Sequence, residues 1–113
     1  MRLAVLISGS GSGMEALLHH VEESETSCHI TALVLSDRLG AKGLSIAENH
    51  GIENFAISLP NSIIDLNSKR LKHEELIEEK LSSHNIEAII LSGYMRLLSP
   101  NFVSRWEGRI LNI

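Results

Sequence analysis

Five short apolar runs alternate with helix-patterned segments, and that alternation constrains the fold more than any other feature of the chain. The runs are "LAVLI" (3–7), "HITALVLS" (29–36), "ENFAIS" (53–58), "EAIILS" (87–92) and "RILNI" (109–113). Continuous apolar runs of this length suit strands covered on both faces, as in a parallel sheet. Between the first two, Met14, Leu17, Leu18 and Val21 recur at the i, i+3, i+4, i+7 spacing of an amphipathic helix. A second helix is predicted over about Lys42 to Asn49, with Gly51 placed to stop it. A long helix is predicted over about Asn67 to His84, with Leu66, Arg70, His73, Ile77, Leu81 and His84 as its inward stripe. Ser99 and Pro100 form an N-cap and first-position pair for a short helix reaching about Arg105. Strands alternating with helices predict an α/β architecture, a Rossmann-like parallel sheet with helices on both faces.

Composition narrows the class. A length of 113 residues is one domain. With 43% hydrophobic and 21% charged residues the chain is an ordinary globular sequence rather than a disordered one. The aromatics are only Phe55, Tyr94, Phe102 and Trp106, so the core is expected to be aliphatic. A net charge of -4 without a basic stripe argues against nucleic acid as a partner. The lone Cys28 fits a reducing, cytoplasmic compartment. No apolar run reaches membrane-spanning length. "MRLAVLIS" reads as a first strand, because "GSGSG" cuts its apolar run too early for a signal peptide.

In such folds ligands sit beyond the carboxyl ends of the strands. That directs attention to Gly9 to Gly13, Ser36-Asp37, Gly93 to Leu98, and whatever follows Ile113. The glycine loop "SGSGSGM" lets the backbone approach a ligand closely, and the helix N-terminus behind it attracts an anion. A monophosphate cradle is the favoured reading; a plain strand-to-helix turn is the alternative. Counted from Gly11 the loop also reads G-x-G-x-x-A, ending at Ala16, with Asp37 at the distance of a ribose ligand, so a dinucleotide site stays open. The simpler expectation for Asp37 is a solvated loop aspartate. Arg70, on an otherwise inward stripe, must either snorkel or find an anion. His73 and His84 read as satisfied boundary histidines, and His19, His20, His29 and His50 lack metal-ligand spacing, so no metal is expected. "SGYMRLLSP" could line a flat aromatic ligand or simply cover the core. Asn112, set among apolar residues in what reads as a buried strand, could donate hydrogen bonds to an oxyanion formed in acyl transfer. A structural asparagine at a strand end is the other reading.

Taken together, "AVLISGSGSGMEALL", "IILSGYMRLLSPNFVSRWEGRILNI" and the spacing between them resemble the phosphoribosylglycinamide formyltransferases, folate-dependent enzymes of purine synthesis. The second stretch is the more specific, and the resemblance covers essentially the whole chain. It implies that Gly11, Ser12 and Gly13 hold the phosphate of glycinamide ribonucleotide. It implies that Arg70 contacts the folate cosubstrate, 10-formyltetrahydrofolate, and that Met95, Arg96, Leu97 and Leu98 line its pterin pocket. Asn112 is then the catalytic asparagine that faces the formyl group. Two departures stand out: Gly13 replaces a usual Asn, and Tyr94 replaces a common Phe.

In the resembled family the sequence after "LNI" continues with a catalytic histidine, and an aspartate follows further on. The expectation is therefore an amino-terminal, nucleotide- and phosphate-binding half, residues 1–113, that ends before those two groups, with the activity of these residues alone left open. Its last strand would expose an edge, and self-association or pairing with a carboxy-terminal half is expected. Formyltetrahydrofolate deformylase, a hydrolase with a similar domain, normally carries a preceding regulatory domain; a start at strand one favours the transferase. Methionyl-tRNA formyltransferase lacks this Gly-Ser pattern. A non-catalytic nucleotide-binding fragment and a nicotinamide-binding domain are the remaining alternatives.

Overall fold

The structure is a computed structural model that describes residues 1–9, 13–16, 18, 29–60, 65–96 and 98–113. Its elements run β1 (Arg2–Ile7), β2 (Ile30–Ser36), α1 (Lys42–Asn49), β3 (Glu53–Ala56), α2 (Leu66–Ser83), β4 (Ala88–Leu91), α3 (Pro100–Arg105) and β5 (Ile110–Asn112). Residues 13–16 and 18 are also helical. The strands form one sheet in the order β3-β2-β1-β4-β5, and every neighbouring pair is parallel.

The apolar runs become strands because both faces of the sheet are covered. Along β1, Leu3, Val5 and Ile7 face one core, with Met14, Leu18, Val34, Ala47 and Ile90. Ala4 and Leu6 face the other, with Leu33, Leu35, Ile77, Leu81, Ile89, Phe102 and Trp106. This two-residue alternation into two cores is what a strand between helix layers requires. The core is aliphatic apart from Phe102 and Trp106.

Helix ends follow their local chemistry. Asp65 caps α2 by accepting the Ser68 N–H at 3.0 Å. Ser99 caps α3, accepting from the Phe102 N–H at 3.2 Å, with Pro100 in the first turn. Gly51 follows α1 as the sequence predicts.

Two expectations need correction. The predicted stripe of α2 holds for His73, Ile77 and Leu81, but Leu66 and Arg70 are exposed, and Glu74 is buried in their stead. The first turn of α2 stands beside an open cavity rather than over the apolar core, so these two side chains line that cavity. The last strand is not buried. β5 pairs only with β4, and Leu111 and Ile113 are 62% and 59% exposed. Asn112 is exposed too, so no cost of burying its carboxamide arises.

Candidate functional site

The strand order reverses at β1, which passes to β2 on one side and to β4 on the other. The crevice at such a switch point is where open α/β sheets bind ligands. Here it is rimmed by polar residues that directly follow the apolar strands. Ser8, Ser36, Asp37 and Ser92 are all buried. They close a small network. The Ser92 N–H donates to the Leu6 carbonyl at 2.9 Å, and the Met95 N–H to Ser8 Oγ at 2.8 Å. The Ser36 hydroxyl donates to the Ser8 carbonyl at 3.4 Å and accepts the Arg38 N–H at 3.1 Å.

Gly13 lies at one side of this crevice. A Cβ placed there would come within 2.9 Å of Ser92 Oγ. The close approach gives a physical reason for glycine at this position. Gly11 and Ser12, the rest of the expected cradle, lie outside the described residues.

Beyond β4, Gly93 takes φ +68°, a conformation that side chains oppose, and swings the chain outward. The following segment forms one wall of a cavity of about 230 Å³. Leu59, Leu66, Arg70, His73, Glu74, Tyr94, Met95, Arg96 and Leu98 line it. A second hollow of about 420 Å³, lined by Asn67, Arg70, Leu71, Glu74, Leu98, Ser99 and Pro100, shares Arg70, Glu74 and Leu98 with it. The combined groove is apolar along Leu59, Leu66, Met95 and Leu98, with a few polar groups, the character of a small-molecule site. Four predicted residues, Arg70, Met95, Arg96 and Leu98, therefore meet in one place; Leu97 lies outside the described residues.

The two arginines differ. Arg96 Nε donates to Asp37 Oδ2 at 3.0 Å. Arg70 is exposed and has no carboxylate partner among the described residues. It can meet an anionic ligand without breaking an existing pair. Asp37, expected in solvent, is instead buried, its side chain 4% exposed. With one oxygen on Arg96 and the carboxylate sealed in, it is not presented to a ribose.

Further polar groups surround the wall, of which sequence reasoning missed Glu74. Glu74 accepts from the Ser99 N–H at 2.6 Å and the Ser99 hydroxyl at 2.5 Å, tying α2 to the start of α3. His73 Nε2 donates to the Ile57 carbonyl at 2.5 Å, as a satisfied boundary histidine should. His84 likewise uses Nδ1 on the Lys80 carbonyl at 2.8 Å. The Tyr94 phenol is pushed well above its ordinary pKa, first by burial and then by the negative charge of Asp37, with Arg96 opposing. Tyr94 remains neutral throughout the physiological range. Among the described residues its hydroxyl has no hydrogen-bond partner, nor has Asp37 Oδ1.

Asn112 stands at the carboxyl end of β5, in register with Leu91 of β4. It is thus on the same edge of the sheet as the crevice, with its carboxamide open to approach. Among the described residues no group of three His, Cys, Asp or Glu side chains could hold a metal ion, and no helix is long and apolar enough to cross a membrane.

This geometry has counterparts among known proteins. The formyl transferase family matches residues 1–113. The chain belongs to that family. It is 37% identical over 115 residues to the trifunctional purine biosynthetic protein adenosine-3 of Gallus gallus, covering 100% of this chain and 11% of that protein. The Homo sapiens counterpart is 37% identical over 114 residues, covering 99% of this chain and 10% of that protein. Among solved structures, phosphoribosylglycinamide formyltransferase from Brucella melitensis superposes with a TM-score of 0.86 at 36% identity, covering 98% of this chain and 55% of that one. The enzyme from Anaplasma phagocytophilum gives a TM-score of 0.82 at 33% identity, covering 99% and 48%. The parallel sheet with helices on both faces is therefore the fold of these formyltransferases. The chain spans about half the length of those solved chains and about a tenth of the curated relatives.

Proposed function

We propose that the chain is the nucleotide- and phosphate-binding half of an enzyme that transfers a formyl group from 10-formyltetrahydrofolate to the amine of glycinamide ribonucleotide, a cytoplasmic step of purine synthesis. The observation that carries this reading is the meeting of Arg70, Met95, Arg96 and Leu98 around one cavity beside the β1–β4 crevice. The cavity takes the flat pterin of the folate. Arg70, exposed and without a carboxylate partner among the described residues, faces the anionic part of the cosubstrate. Gly11, Ser12 and Gly13 hold the ribonucleotide's phosphate, as the resemblance implies.

The two ligands then meet across the crevice. The ribonucleotide's amine attacks the formyl carbon, forming the new C–N bond and placing negative charge on the formyl oxygen. Asn112, exposed at the carboxyl end of β5, donates a hydrogen bond to that oxygen. Collapse of the tetrahedral intermediate breaks the bond to the folate nitrogen, and a proton passes from the attacking amine to the leaving one. The resemblance assigns that proton shuttle to a histidine, supported by an aspartate, outside these 113 residues. No metal takes part in the scheme. The exposed edge of β5 offers unpaired backbone groups to a further strand, from additional chain of the same protein or from a second copy.

The test is formyl transfer by the protein carrying this chain, wild type against N112A. Loss of an oxyanion donor is expected to lower kcat by about 10²–10³-fold. Because Asn112 is exposed, the melting temperature should hold. Full turnover in N112A would remove Asn112 from the mechanism.

A further inference from the structure

We infer that Asp37 is a positioning residue for the formyl-donor cavity: by holding the Arg96 side chain it fixes the segment Tyr94 to Arg96 as a wall of that cavity. This rests on the reading of the cavity given above.

Asp37 is the anchored member of the pair. It follows the last residue of β2, and Ser36 is itself bound to Ser8 and to the Arg38 N–H. Arg96 is the adaptable member, on a segment outside any helix or strand with its side chain 43% exposed. A carboxylate as buried as Asp37 requires a cation, and the guanidinium at 3.0 Å supplies one. The Met95 N–H bond to Ser8 Oγ is the neighbouring tie. Together they fasten the wall to the ends of β1 and β2, across 87 and 59 residues of sequence. The influence of the Asp37 charge on the Tyr94 phenol shows its field reaching the same segment.

The pair also divides the work of the two arginines that line the cavity. Arg96 is neutralised and structural, which leaves Arg70 as the cation available to a ligand. Without Asp37, the wall keeps the Ser8 tie as its one side-chain bond on this side among the described residues, and a second uncompensated cation competes for the ligand's anionic groups.

Two readouts test this. The first is amide hydrogen exchange on the unliganded protein, comparing wild type, D37N, D37E and R96K. D37N should speed exchange at Met95 by about tenfold, matching the loss of one charged hydrogen bond. Val5 in β1 should not change. D37E should recover most of the protection, and R96K should resemble D37N. The second readout is titration with tetrahydrofolate. D37N should weaken binding by about tenfold, yet add little in an R96K background.

Unchanged Met95 exchange in both D37N and R96K would overturn the inference. So would full additivity of D37N and R96K in tetrahydrofolate binding. If D37N does not fold, R96K alone decides by the same Met95 readout. If the wild type does not bind tetrahydrofolate, the formyl-donor reading fails, and the exchange data still decide whether Asp37 fixes the wall.

Discussion

The two ends of the same parallel strands are built differently. At the amino ends, Ile30 and Glu53 are exposed and, apart from the buried Thr31, polar contacts are peripheral, such as the Arg2 N–H on Glu87 Oε1 at 2.9 Å. At the carboxyl ends, Ser8, Ser36, Asp37 and Ser92 are buried, although each directly follows or ends an apolar run. Burying polar groups is unfavourable unless they bind something. Their concentration at one end shows which end is arranged for ligands, while the strands between supply rigidity.

The largest effect should come from the scaffold. Leu6 is fully buried at the centre of the sheet. L6A should cost about 2–5 kcal/mol of stability, measured by denaturant unfolding, while leaving ligand affinity of the folded protein nearly intact. A loss of affinity without a loss of stability would blur the contrast between scaffold and rim.

Next is the packing of the crevice. G13A should cost about 1–3 kcal/mol, because its Cβ would press on Ser92 Oγ. S92A in the same chain should relieve most of that cost. Additive losses in the double variant would mean that the two positions do not share the space.

A smaller effect of opposite sign is expected at Tyr94. Removing its buried hydroxyl, unpartnered among the described residues, should stabilise the fold by about 1 kcal/mol in Y94F. The sign with pH follows from the raised pKa. Below about pH 10 the phenol is neutral in both folded and unfolded chains. Above that, only the unfolded chain ionises freely, so stability falls as pH rises. Y94F should flatten this alkaline decline. An unchanged alkaline limb would place its origin elsewhere.

The smallest effect is at the exposed cap. Hydrogen bonds from the Ser68 N–H and hydroxyl lower the pKa of Asp65. Its contribution is therefore present above its unfolded pKa near 3.8 and lost as pH falls through the lower folded value. D65N should shrink the acid-dependent part of the unfolding curve and leave the rim's ligand affinity alone.

What the sequence disclosed depended on the range of the interaction. β1 was legible because its apolar run is a local signal and the strand is buried on both faces. The cap of α3 was legible because Ser99 and Pro100 are adjacent. β5 was legible in part: its exposed edge was expected, but its apolar letters also read as a buried strand, and burial depends on neighbours, of which β5 has one among the described residues. Asp37 misled for the same reason. Its partner lies 59 residues away and is brought near only by the strand order. Glu74 drew no notice in the sequence, because its burial depends on two Ser99 donors that only the packing of α3 against α2 brings to it. Met95, Arg96 and Leu98 were singled out through a motif, yet which of the two cavity arginines is paired with a carboxylate became visible only in three dimensions.

The most direct measurement is calorimetric titration of the purified chain with glycinamide ribonucleotide, tetrahydrofolate and NAD in turn. Saturable binding of the first two, with no response to NAD, is the predicted result. Binding of NAD with no response to either of the others would contradict a formyl-transfer site at the carboxyl ends of the strands.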